Sequence, residues 1–117
     1  MDIDAIQKHL RAFAEERDWN QFHSPKNIAT ALAVEAAELL ENFQWLTEDQ
    51  SRRLKERPED YQATREEIAD VQIYLLRLAD LLEVDLDTAV RDKLRQNAEK
   101  YPVALAKGKA LKYNRLG

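Results

Sequence analysis

Residues 29–40 read ATALAVEAAELL, and residues 68–82 read IADVQIYLLRLADLL. Both stretches are apolar nearly all the way round a helix of 3.6 residues per turn, which marks helices buried on most sides. Each also carries carboxylates where a core should be. On the first, Ile28, Ala31, Leu32 and Leu39 form a stripe. Steps of about 100° per residue put Glu35 in the middle of it. Glu38 lies three residues on, close to the same face. The second stretch repeats the arrangement with Glu67 and Asp70, and Tyr74 continues their line. That line borders an expected core face of Ile68, Val71, Leu75, Leu78 and Leu82.

An ionised carboxylate in an apolar stripe is costly unless it is paired or bound to a cation. The pattern is Glu35-x2-Glu38, 28 intervening residues, then Glu67-x2-Asp70. Two antiparallel helices joined by a loop bring such pairs face to face. Four oxygen ligands with no His or Cys among them suit a hard cation, Mg²⁺ or Mn²⁺. Glu41 and Glu66 are spare or outer carboxylates. A single E-x-x-E is a weak signal, because most such pairs are solvated; two pairs on two otherwise apolar helices are a stronger one.

Outward from these helices the chain reads as helical throughout. Only 2 Gly and 3 Pro interrupt 117 residues, too few breakers for many short strands. Ile3, Ile6, Leu10 and Phe13 predict a first helix over about 2–16. Ser24-Pro25 reads as N-cap and first position of a second, running to about Gln44. Thr47 and Gln50 resemble a capping box opening a short helix. A third long helix spans about Glu59 to Leu82. Asp85 or Asp87 caps a fourth, ending near Lys100 before Pro102. Residues 103–117 form a basic tail with Lys107, Lys109, Lys112 and Arg115. The expectation is a single all-α domain over 1–117, a four-helix bundle. Two helices this apolar exceed what one small bundle covers, so a homo-oligomer is expected.

Composition narrows the function. Apolar residues at 44% and charged residues at 34% fit a folded domain rather than a disordered chain. There is no cysteine, which excludes disulfides, zinc–thiolate sites and thiol nucleophiles. A net charge of −4 gives no basic face for nucleic acid. No stretch has the length to cross a bilayer, and the N-terminus lacks a signal-type apolar run. The expected location is the cytoplasm, with neither nucleic acid nor membrane as partner.

The four carboxylates, with EAAEL and EEIADVQIYL around them, resemble the MazG-like all-α nucleoside triphosphate pyrophosphohydrolases. The segments FAEERDWNQFHSPKN, FQW, IYLLRLA, VDLDTAV and KYP with a later KY are similar to its dCTP pyrophosphatase branch, in order and spacing. The resemblance covers nearly the whole chain. It implies a Mg²⁺ site, a tetramer with shared sites, and cleavage of a deoxynucleoside triphosphate to monophosphate and pyrophosphate. It assigns Glu35, Glu38, Glu67 and Asp70 to the metal. It assigns Trp19, Trp45, Tyr74, Lys93 and Asn97 to the nucleotide. One departure concerns a family histidine in the first helix, where this chain has Leu10, with His9 one residue off.

The residues bear on these roles independently. Bound metal neutralises a triphosphate and activates water, and Glu38 or Glu35 is placed to accept the water's proton. Lys93 and Asn97 are four apart and share a helix face. Asn97 falls on the stripe of Leu86, Val90, Leu94 and Tyr101, where an amide needs a partner. Trp19 and Trp45 offer faces for stacking on a base, or fill a core. Tyr74 suits a hydrogen bond to sugar or phosphate, or a core position with a wet hydroxyl. His9 and His23 lack a second nitrogen or sulfur ligand and make no metal site; for His23 a loop role is favoured. The competing readings are a broad or dUTP-like pyrophosphohydrolase and a non-catalytic helical interaction module.

Overall fold

The computed structural model describes residues 1–115, and no strand occurs among them. Six α-helices follow one another: α1 Ile3–Glu16, α2 Pro25–Glu41, α3 Glu48–Arg52, α4 Pro58–Leu81, α5 Leu86–Lys100 and α6 Val103–Ala106. Short 3₁₀ turns lie at Asn20–Phe22, Leu54–Glu56 and Tyr113–Arg115. The four long helices are the four expected from periodicity.

Their starts are set by side chains that satisfy the first unpaired N–H groups. Asp2 accepts from the Ala5 N–H, Ser24 from Asn27, and Asp85 from Thr88. Pro25 follows the Ser24 cap at the first helical position, where a missing N–H costs nothing. Thr47 and Gln50 close a full capping box. Helix α2 stops at Glu41, three residues short of the expected Gln44. The N–H groups of Phe43 and Gln44 both turn back onto the Leu40 carbonyl, at 2.9 and 3.0 Å, and tighten the end.

The chain forms two compact units, the first Met1–Glu83 and the second from Val84 on. In the first, α1 and α2 both pack against α4. The core there is small: Ala14, Ile28, Leu54, Leu76 and Ala79. Gln7 on α1 is buried too, and its Nε2 donates to the Leu76 carbonyl of α4 at 3.0 Å. The second unit holds α5 and the short helix of the basic tail.

The inward face of α4 differs from the expected one. Ile68 and Leu82 are more than half exposed, at 55% and 54%, and Leu75 is exposed as well. The fully buried positions are Thr64, Leu76, Arg77 and Ala79. The helix is apolar around most of its circumference, so periodicity offers two faces and cannot choose. Helices α1 and α2 cover the side of Leu76 and Ala79. The stripe Ile68, Leu75, Leu82 stays on the outside.

Candidate active site

On α2 the expected pattern is present as written. Ile28 is buried, and Ala31, Leu32, Glu35, Glu38 and Leu39 are half-buried along one face. That face lies against α4, whose Glu67 and Asp70 are also half-buried. Three carboxylates converge there. Glu35, Glu38 and Glu67 each offer an oxygen within 4.8 Å of the other two.

Glu35 Oε2 and Glu67 Oε2 are shielded from solvent and have no hydrogen-bond partner among the described residues. Crowding raises the affinity for protons instead. Glu35 is pushed above the usual carboxylate range, first by a proton shared with Glu67, then by desolvation and by the charges of Glu67 and Asp70. Glu38 is raised mainly by its contact with Glu35. Orphaned carboxylate oxygens and an all-oxygen donor set fit a hard divalent cation.

Asp70 lies outside this trio but acts on Glu35 through its charge. Glu41 and Glu66 are exposed, and Glu66 accepts from Gln62 at 3.1 Å.

Further along α4 a second feature opens. A cavity of about 320 Å³ is lined by His9, Leu10, Phe13, Trp19, His23, Ile28, Ile73, Tyr74 and Arg77. Tyr74 is seven residues from Glu67, a rise of roughly 10 Å along the helix. The loop after α1 sets Trp19 at the cavity. Its N–H donates to the Ala14 carbonyl at 2.9 Å, and its ring meets Phe13 edge-on with centroids 5.6 Å apart. Asp18 just before it takes a left-handed φ of 54°, and Gln21 Nε2 braces the turn on Asp18. Trp19 also tilts over His23 at 6.2 Å.

Trp45 is 86% exposed in the turn beyond α2 and does not line the cavity. Lys93 and Asn97 are exposed on α5, in the second unit. The Val90 and Leu94 stripe on which Asn97 falls is exposed as well. Two cavity residues add functional potential: His23, for which the sequence favours a loop role over a substrate contact, and Arg77, which the sequence analysis does not single out. A lone Arg inside the apolar run IYLLRLA was the available signal for the second.

Residues 30–116 match the MazG-like family. The chain belongs to it. The MazG-like match runs through both compact units. Among curated MazG-like relatives, dCTP pyrophosphatase 1 of Rattus norvegicus is 42% identical over 114 residues, which is 97% of this chain and 67% of the relative. The Homo sapiens protein of the same name is 41% identical over the same shares. Among solved structures, a pyrophosphatase from Archaeoglobus fulgidus superposes with a TM-score of 0.79 at 41% identity. It covers 87% of this chain and 94% of its own. The all-α MazG-like fold that the resemblance implies is therefore the fold observed.

Proposed function

We propose that this chain is a nucleoside triphosphate pyrophosphohydrolase that converts dCTP, or a modified dCTP, and water to the monophosphate and pyrophosphate. The observation that carries the reading is the convergence of Glu35, Glu38 and Glu67 with two orphaned oxygens, in a MazG-like chain. Relatives named dCTP pyrophosphatase over 97% of its length give the base.

Glu35, Glu38, Glu67 and Asp70 hold Mg²⁺, with Mn²⁺ as a substitute. The bound ion supplies charge neutralisation of the triphosphate and lowers the pKa of water. Glu35 or Glu38 is the carboxylate that takes the proton from water. No covalent nucleophile is required. The aromatic cavity beside the carboxylates receives the base, which stacks on Trp19, and Tyr74 binds the sugar or phosphates. Lys93 and Asn97 are assigned to the same nucleotide by the resemblance, as is Trp45.

Stacking on an aromatic ring contributes roughly 1–3 kcal/mol per base. Trp19→Ala is therefore expected to raise KM for dCTP by roughly 10- to 100-fold, read from steady-state pyrophosphate release. An unchanged KM would place the base elsewhere. The substrate itself is tested by competition among dCTP, dUTP, dTTP and the ribonucleotides at equal concentration. Preferred loss of dCTP supports the assignment, and equal loss of all would point to a broad pool-cleaning enzyme.

The chain acts as a homo-oligomer, a tetramer or dimer, in the cytoplasm. No helix among the described residues is long and apolar enough to cross a membrane. Ile68, Leu75 and Leu82 repeat every seven residues on the outer face of α4, a spacing suited to a partner helix. Leu75→Glu is expected to yield monomers in analytical ultracentrifugation. An unchanged sedimentation coefficient would remove this stripe from the interface.

A further inference from the structure

Arg77 is an expensive residue in this core. It sits on α4 between Leu76 and Leu78, and its side chain is only 7% exposed. A buried guanidinium needs partners for its fixed fork of donors. Arg77 finds three. One terminal nitrogen donates to Asn20 Oδ1 at 2.9 Å. Another lies 3.8 Å from the Asp80 carboxylate, which also pairs with Arg11 at 2.8 Å. The third is unusual: Arg77 Nε donates to Nδ1 of His23 at 3.3 Å.

That contact has a definite chemical consequence. A guanidinium only donates. Nδ1 of His23 must therefore accept, so it carries no proton, and the ring proton resides on Nε2. Nε2–H is then the one polar atom of the imidazole left to act, in a ring that lines the aromatic cavity. We propose that Arg77 is a positioning residue that fixes His23 as the Nε2–H tautomer, so that the cavity offers a hydrogen-bond donor to the acceptor edge of the bound base. The proposal deepens the dCTP reading and rests on it for the identity of the base. Cytosine presents adjacent acceptors at O2 and N3, whereas N3 of uracil and thymine carries a proton and donates. A fixed donor set against N3 therefore favours cytosine, whereas one set against O2 alone would take all three pyrimidines. A histidine free to take either tautomer would not discriminate.

Burial and the charge of Arg77 act in the same direction. Arg77 faces His23 directly, with Asp80 behind it on α4 and Arg11 and His9 on α1. Burial, and then the charge of Arg77, hold the His23 proton affinity below its ordinary value. Both influences favour the neutral imidazole, the form whose Nδ1 accepts from Arg77.

The test is long-range ¹H–¹⁵N NMR of the full-length protein with labelled histidine. His23 is expected as Nε2–H from pH 6 to 8, and added dCMP should move its Nε2–H resonance. In Arg77→Met, His23 is expected to titrate between those limits. KM for dCTP should rise by about tenfold at pH 6, the worth of one neutral hydrogen bond, while kcat falls far less. Arg77→Gln retains an N–H donor without the charge and should restore the tautomer; it serves equally where the Met variant fails to fold. Two results would overturn the proposal: a wild-type His23 protonated on Nδ1, or dCMP that shifts the Trp19 indole and leaves His23 unmoved. Failure of dCTP turnover with the NMR result intact would instead count against the substrate assignment alone.

Discussion

Glu38→Gln is expected to lower Mg²⁺-dependent pyrophosphate release by about a thousandfold, roughly 4 kcal/mol of barrier. The substitution keeps the shape of the side chain and removes the negative charge. It thereby takes one anionic ligand from a trio whose oxygens lie within 4.8 Å of one another, along with one of the two carboxylates of raised proton affinity. Asp70→Asn is expected to behave differently. Asp70 lies outside the trio and acts on Glu35 through its charge. Its loss should weaken Mg²⁺ binding by about 10- to 100-fold, with kcat recovered at higher metal. The two variants separate a member of the trio from the outlying fourth carboxylate in one Mg²⁺ titration. If excess Mg²⁺ restored Glu38→Gln in full, Glu38 would have no role as a base.

The second large effect is on stability. Saturating Mg²⁺, at about 100 times its Kd, stabilises the native state by about 2.7 kcal/mol, which raises Tm by roughly 10 °C in a domain of this size. The shift depends on pH in a definite direction. Glu35 and Glu38 have native proton affinities raised above the ordinary 4.5. Below that value both are protonated in native and unfolded chains alike, the crowding is relieved, and metal competes poorly with protons. As pH rises through the raised values, the ionised trio destabilises the metal-free protein and Mg²⁺ gains its site. The Mg²⁺-induced rise should therefore be small at pH 4 and full at pH 7. Metal-free Glu35→Gln should melt above the wild type at pH 7, lose that advantage at pH 4, and gain little from Mg²⁺. Differential scanning fluorimetry with and without chelator reads all three. A Mg²⁺ shift of equal size at pH 4 and pH 7 would contradict a carboxylate site.

These expectations trace to a part of the sequence that was legible. A carboxylate in the middle of the Ile28–Leu39 stripe is an energetic anomaly that one sequence suffices to expose. Packing of α2 on α4 then brings Glu35 and Glu38 to Glu67. Caps were equally readable at Ser24, Thr47 and Asp85, because capping is local chemistry within three residues. The inward face of α4 was not. Ile68, Leu75 and Leu82 have the spacing of a core stripe, yet α1 and α2 pack on the other side. A helix apolar all round carries no local signal for which neighbour covers which face. The cavity was half legible. Trp19 and Tyr74 were expected at the nucleotide and line one pocket, whereas His23 and Arg77 meet across 54 residues of chain. Pairings of that range leave no periodic trace. Trp45 illustrates the converse: a large aromatic after a helix suggests a covered ring, and its ring is 86% exposed.

The central claim is that the α2–α4 carboxylates direct hydrolysis of a deoxynucleoside triphosphate to pyrophosphate. The most direct measurement is ³¹P NMR of dCTP turned over by the wild type and by Glu38→Gln in ¹⁸O-labelled water, with Mg²⁺. The predicted result is dCMP and pyrophosphate in equal amounts from the wild type, with one product carrying the label, and no turnover by the variant. Release of inorganic phosphate and dCDP, or equal activity in the Glu38→Gln variant, would contradict the account.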